Sequence, residues 1–287
     1  MKINKLTLTS LCYPEPLRHI PSPPKQLFTK GAPLGEMLKM PRVALVGSRR
    51  PTPYGKYVTE QLASELAGQG IIIVSGLALG IDAIAHRAAL ASGGTCIAVL
   101  PGPVGRVYPA TNRRLAEEIL ASNGVLVSEY DEGAVSFKQN FIARNRIVAG
   151  LSQVILITEA TEKSGSLHTA RFALEQGKDV LAVPGNIDSP PSVGTNNLIR
   201  AGATPITSCS DVLQVLGLEP HTGRPQTIRG RNADEQRIID LLLLGVYSGH
   251  ELFQRSKLPA SRFNQALTML EIGGKIRPTG GNQWRIR

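Results

Sequence analysis

Between Arg42 and Leu216 the chain repeats one unit: a short run of consecutive apolar residues, a turn of small residues, then a stretch with helical apolar spacing. The runs are RVALVGS, IIIVSG, TCIAVLPG, VLVSE, QVILIT and DVLAVPG. Helices are predicted over YGKYVTEQLASELAGQG, GIDAIAHRAALASGG, NRRLAEEILASNG (with Asn112 as N-cap), FIARNRIVAGLS, SLHTARFALEQG and the short GTNNLIRAGA. The apolar runs do not alternate with polar residues, so each strand is expected to be buried on both faces. Such strands, alternating with helices about every 25 residues, predict an α/β fold: an extended Rossmann-like, doubly wound, mostly parallel sheet covered on both sides. Ligands of these sheets lie beyond the carboxyl ends of the strands, so the loops that follow the strands carry the functional information.

The flanks have a different texture. Residues 1–40 are proline-rich and predict an extended leader packed on the domain at 41–218. Residues 219–232, with Arg224, Arg229 and Arg231 among Gly and Pro, predict a linker. Residues 233–287 read as three helices and a hairpin turning at Gly280-Gly281, the pattern of a small winged-helix domain. Hydrophobic content of 42% with 19% charged residues suits a globular chain. Cys12, Cys96 and Cys209 lie far apart with no CxxC, which argues against a disulfide framework or a zinc site and for a reducing compartment. No signal peptide is evident, and no apolar run approaches the ~18 residues of a membrane span, so a cytoplasmic protein with no membrane association is expected. A net charge of +10 points to a polyanionic partner, nucleic acid ahead of a membrane surface.

Four post-strand loops offer small residues, backbone N–H groups or hydroxyls at a helix start, which is the chemistry that holds phosphate oxygens. They supply Gly47, Ser48, Arg49 and Arg50; Ser75 and Gly76; Lys163, Ser164, Gly165 and Ser166; and Asn186. A further group is Lys138, Phe141, Arg144, Asn145 and Arg146. Arg144 and Arg146 stand two residues apart, on nearly opposite faces of a helix, so at most one can enter a cleft. The other is expected to be structural, paired with a carboxylate such as Glu129 or Glu159. Phe141 with Lys138 has the composition of a stacking platform with an adjacent phosphate contact, as in single-strand binding. Phe141 in the core, with both arginines in interior ion pairs, is an equal reading of the same residue types.

VALVGSRRPTPYG, SGLALGIDAIAHRAAL, YPATNRRL, FIARNRIVAGLS, EATEKSGSLHTARFALEQGKDVLAVPG and GTNNLIRAGA occur here in the order found in the DNA-processing protein A family, also called DprA or Smf. The chain resembles that family over about residues 13 to 216, with a family-like winged helix after it. The resemblance implies single-stranded DNA as partner, a homodimer through the Rossmann-like domain, and loading of a RecA-type recombinase in natural transformation; it does not imply catalysis, and no enzyme activity and no cofactor are expected. It favours the DNA reading of Lys138 and Phe141, and phosphate contacts from GSR and SGS. The sequence departs from the family pattern at Ile142, where FPxRNR has proline, and at Pro103, where a second glycine is expected. The SAM-like domain that many members carry before YP..L is expected to be missing.

Two rival readings exist. In nucleotide phosphoribohydrolases a PGGxGTxxE motif carries the reactive glutamate; alignment on Thr169 puts Phe172 there. Asp82 and His86, four apart on a helix, could pair as acid and base, or Asp82 could serve the helix N-terminus while His86 packs. No G-x-G-x-x-G follows the first strand, and there is no P-loop or metal-ligand spacing. The other rival is a transcription regulator using Arg262, Asn264 and Gln265 of the last helix, with Lys275, Arg277, Arg285 and Arg287 on the wing. In that helix Phe263, Leu267 and Leu270 are expected to face the core.

Overall fold

The computed structural model describes residues 2–135, 137–219 and 230–286. The chain divides into two compact units, Met1–His221 and Thr222–Arg287.

In the first unit the apolar runs become β3 (Arg42–Val46), β4 (Ile72–Ser75), β5 (Cys96–Val99), β6 (Val125–Ser128), β7 (Val154–Ile157) and β8 (Val180–Ala182). Every residue of these strands is buried. Side chains alternate between two cores because successive Cβ atoms point to opposite faces. Val43, Leu45, Ile73 and Leu156 pack under α3 (Pro53–Gly68), α4 (Ile81–Ala91), α5 (Arg113–Ala121) and α9 (Cys209–Val215). Ala44, Val46, Val74 and Ile155 pack under α6 (Lys138–Leu151), α7 (Ser166–Glu175) and α8 (Val193–Arg200). α3 opens on Thr52, whose hydroxyl accepts from Gly55 N, with Pro53 as its first residue.

The sheet has nine strands in the order β1-β2-β6-β5-β4-β3-β7-β8-β9, and the strands from β6 to β9 run parallel. The chain winds outward from β3 through β4, β5 and β6, then resumes on the other side of β3 with β7. The strand order therefore reverses between β3 and β7, which puts a crevice at their carboxyl ends.

The N-terminal segment differs from the extended leader expected. β1 (Ile3–Thr7) and β2 (Gln26–Gly31) pair antiparallel, and β2 pairs antiparallel with β6, so the segment adds two strands to the sheet. Tyr13, Leu17 of α1 (Glu15–Arg18), Leu34 and Met37 of α2 (Leu34–Met37) are buried in one of the cores. The physical reason is the edge of β6: its open N–H and C=O groups need a partner, and QLFTKG supplies one. The two-residue β9 (Thr204–Pro205) is also an addition to the elements expected. Asn112 stands at the start of α5 but makes no side-chain cap; its Nδ2 instead donates to the carbonyls of Leu77 and Ala78.

Most of the linker expected over 219–232, including Arg224 and Arg229, lies outside the described residues, as does Arg287. The second unit consists of α10 (Ala233–Leu243), α11 (Gly249–Ser256), α12 (Ala260–Ile272) and the hairpin β10 (Ile276–Gly280) with β11 (Gln283–Ile286). Its core gathers Ile238, Leu242, Leu252, Phe263, Leu267, Leu270 and Ile276. Phe263, Leu267 and Leu270 thus face inward. Arg262 is exposed but held in a bidentate pair with Asp234, at 2.6 and 2.7 Å.

Candidate functional site

The crevice at the β3/β7 reversal is a cleft of about 720 Å³. Its walls are the turn after β3, the segment from Thr161 into α7, and the start of α6, with Tyr108 contributed from the segment after β5.

The turn after β3 is stitched in place by backbone. Ser48 N donates to Glu159 O at 2.8 Å, and Ile81 N donates to Ser48 O at 3.0 Å. Gly47 is required there because a Cβ would run into Glu159 O and the Ile81 side chain. Gly80, at φ +79°, would likewise meet the Ser48 and Arg49 backbone. Glu159 is buried and accepts from Thr52 N and from the Thr52 hydroxyl, so it fixes the entry to α3 and takes no ion pair with the arginines. Arg49 and Arg50 remain exposed on this rigid turn.

Across the cleft, α7 begins at Gly165 with no side-chain cap. Ser164 Oγ and Ser166 Oγ lie 2.8 Å apart, and Asn145 Nδ2 donates to Gly165 O at 3.3 Å. A Cβ on Gly165 would meet nothing, so the surface there is open to an approaching group. The N–H groups of Ser166, Leu167 and His168 are taken by Ser164 Oγ, Ser164 O and Gly165 O, so the cradle for an oxyanion is the two serine hydroxyls at the positive end of a ten-residue helix.

The two arginines separate as helix geometry demands. Arg146 pairs with Glu129 at 2.6 and 2.9 Å and donates to Ser22 O at 2.9 Å, away from the cleft. Arg144 lies at the cleft floor, 3% exposed, and its guanidinium donates to the carbonyls of Gly76 and Val99 at the ends of β4 and β5. Burial lowers its pKa to about 10, with Asp82 pulling it back up, so it stays charged at neutral pH. Asp82 is buried beside it and accepts from Gly76 N at 3.1 Å and Ala78 N at 3.4 Å. Burial raises the Asp82 pKa, against the pull of Arg144 and those N–H donors. His86 is fully buried and neither ring nitrogen has a hydrogen-bond partner of good geometry. Burial, with the Arg144 charge, lowers its pKa to about 3. Asp82 and His86 are therefore not an acid–base pair facing the cleft: one serves the loop after β4 and the other is a neutral core residue.

Of the residues expected from the sequence, Gly47, Ser48, Arg49, Arg50, Lys138, Phe141, Arg144, Asn145, Lys163, Ser164, Gly165 and Ser166 line the cleft together. Four do not. Ser75 is buried and its hydroxyl donates to Leu45 O at 2.7 Å, satisfying a core carbonyl. Gly76 is the space that the Arg144 guanidinium fills, since a Cβ would overlap it. Arg146 belongs to the Glu129 pair. Asn186 is exposed in the loop after β8, where Oδ1 accepts from Asp188 N, outside the cleft lining.

Five cations line the cleft (Arg49, Arg50, Lys138, Arg144 and Lys163), and Asp82 is the one acidic side chain in that lining among the described residues. The Arg49 guanidinium sits over the Phe141 ring at 5.2 Å from its centroid. An exposed contact of this kind is worth roughly 0.5–1 kcal/mol, weak enough for an incoming anion to draw the arginine away. Tyr108 meets the same ring edge-on, with centroids 5.5 Å apart. Reasoning from loops alone missed Tyr108, although YP was visible in the motif YPATNRRL. The cleft thus pairs oxyanion donors with an aromatic corner, the equipment for a polyanion that carries planar groups. Phe172 is half-buried against the core. Among the described residues no cluster of three or more His, Cys, Asp or Glu could hold a metal, and no helix is long and apolar enough to cross a membrane.

The family described as DNA recombination-mediator protein A matches residues 4–217, and the DprA winged helix domain matches residues 222–282. DNA processing protein DprA of Bacillus subtilis is 41% identical over 214 residues, 75% of this chain and 71% of that protein. Protein Smf of Escherichia coli is 41% identical over 303 residues, 97% of this chain and 80% of that protein. The structure of DNA processing protein A from Helicobacter pylori, described for its single-stranded DNA binding mode, aligns with a TM-score of 0.66 at 37% identity, covering 75% of this chain and 95% of that one.

Proposed function

The chain belongs to the DNA recombination-mediator protein A family, and on that premise we propose that it binds single-stranded DNA across the β3/β7 crevice and delivers the strand to a RecA-type recombinase. The observation that carries the reading is the convergence, in one cleft, of five cations, the Ser164–Ser166 cradle and the Phe141 ring. Arg49, Arg50, Lys138 and Lys163 would neutralise phosphates, the α7 N-terminus would take a further oxyanion, and Phe141 would receive a base. Phosphate contacts and stacking carry little base identity, so sequence preference should be weak. Arg144 would act from below, holding the ends of β4 and β5 so that the loops keep their shape. A homodimer through this domain would join two clefts and raise affinity through effective concentration. The role is one of binding in the cytoplasm, without catalysis or cofactor, and its cellular setting would be natural transformation.

Arg49→Ala tests the cleft assignment. Affinity for an oligo-dT should fall in similar measure for other sequences, and the slope of log affinity against log salt should flatten by about 0.7, the share of one phosphate no longer neutralised. An unchanged affinity and slope would remove Arg49 from the interface. Delivery is tested by recombinase filament growth on single strands coated with a single-strand-binding protein: addition of this protein should speed growth, and Arg49→Ala should not.

A further inference from the structure

Tyr108 is 55% exposed, lines the cleft, and has no place among the phosphate-holding loops. Its position is not accidental to a mobile loop. The segment that carries it is tied down by Asn112, whose N donates to Pro109 O at 3.0 Å and whose Nδ2 donates to the Leu77 and Ala78 carbonyls. Gly105 N, three residues before Tyr108, donates to Glu132 Oε1 at 3.0 Å. A large aromatic side chain is thus held on a fixed backbone, half in solvent, against the ring of Phe141 at an interplanar angle of 76°. The other visitor to Phe141 is the guanidinium of Arg49, whose carbon lies over the ring 5.2 Å from its centroid, a cation–π contact.

We propose that Tyr108 and Phe141 form a two-base stacking corner, in which Arg49 occupies the Phe141 position until a base displaces it. The inference rests on the single-strand reading given above. Arg49 would leave the ring for a phosphate as the base arrives, so phosphate and base binding are coupled through one side chain. The angle between the rings sets the specificity. Consecutive bases in a duplex, or in a self-stacked run of adenines, lie parallel to one another. Two bases seated on rings that are 76° apart must be splayed. A duplex cannot present them so, and a dA run must first unstack, whereas a dT run is already flexible. The corner therefore selects unstacked single strands without reading any base edge.

The test uses the full chain with Tyr108→Leu, which removes the ring and keeps apolar bulk, and Tyr108→Phe, which keeps the ring; Phe141→Leu is the internal control. Affinity is measured for dT and dA oligomers of equal length, and dT oligomers carrying 2-aminopurine at successive positions report stacking by fluorescence quenching. The wild type should favour dT over dA and quench at two adjacent positions. Tyr108→Leu should lose about tenfold in dT affinity, the usual loss for one base–aromatic stack, with quenching at one of the two positions and a narrower dT/dA gap. Tyr108→Phe should match the wild type within about twofold, since every stacking surface is kept. If Phe141→Leu loses affinity and Tyr108→Leu matches the wild type in affinity, quenching and dT/dA ratio, the corner is wrong and the single-strand reading survives. If the wild type binds neither oligomer, both fall.

Discussion

Replacing Arg144 by methionine removes a buried charge while keeping much of the side-chain volume. Three losses follow from the structure. The carbonyls of Gly76 and Val99 lose their donor, and Asp82, buried with Arg144, loses a favourable charge. Leaving the two buried carbonyls without a donor, and Asp82 without a favourable charge, costs about 3–5 kcal/mol in all, on the order of 1–3 kcal/mol per group. In a domain of this size each kcal/mol shifts Tm by roughly 2–4 °C, so Arg144→Met should melt roughly 6–20 °C below the wild type. Adding Asp82→Asn should recover part of the loss, since the amide oxygen can still accept from Gly76 N and Ala78 N without a buried charge. Calorimetry of the single and double variants is the assay. Arg49→Ala is the contrast: its side chain is exposed, so it should lose DNA affinity and keep its Tm. A melting temperature for Arg144→Met within about 2 °C of the wild type would refute the reasoning from those buried acceptors.

Three further outcomes are expected. His86 binds a proton near pH 6.5 when unfolded and only near pH 3 when folded, so the unfolded state takes up more protons between those values and stability falls as pH falls through that window. The loss from this group should be about 2 kcal/mol at pH 5 relative to pH 8, and His86→Leu should flatten the denaturant-derived stability profile by that amount; an unchanged profile would mean that His86 is not buried neutral. Gly76→Ala should destabilise by about 1–3 kcal/mol, because the added methyl overlaps the Arg144 guanidinium, and an unchanged denaturation midpoint would place Arg144 elsewhere. Lys163→Ala should weaken oligo-dT binding and flatten its salt dependence by about 0.7, in the manner of Arg49→Ala, and equal slopes for variant and wild type would take Lys163 out of phosphate contact.

The parallel sheet was legible because its strands are buried on both faces, which writes RVALV or VILI as an unbroken apolar run. β2 was not, because QLFTKG lies between prolines and is buried only in part, so its pairing with β6 is a tertiary fact without a local signature. The cleft was legible as loop chemistry and less so as geometry. Spacing alone separated Arg144 from Arg146 by face and offered Glu129 or Glu159 as partner, but only the fold gives Glu129 to Arg146 and Glu159 to Thr52. Ser75 and Gly76 share the composition of the phosphate loops. They are spent on Leu45 O and on room for Arg144, because β4 lies inside the sheet with its end covered by that side chain. Tyr108 was not legible as part of the cleft because its place there depends on an edge contact with Phe141, 33 positions along the chain, which no local pattern encodes.

The most direct measurement of the central claim is a pair of binding isotherms, for an oligo-dT and for a duplex of equal length, each across a salt series. Tight, salt-sensitive binding to the single strand with much weaker binding to the duplex is the expected result. Duplex binding as strong as or stronger than single-strand binding would contradict it, and would move the DNA-binding role from the β3/β7 cleft to the winged helix.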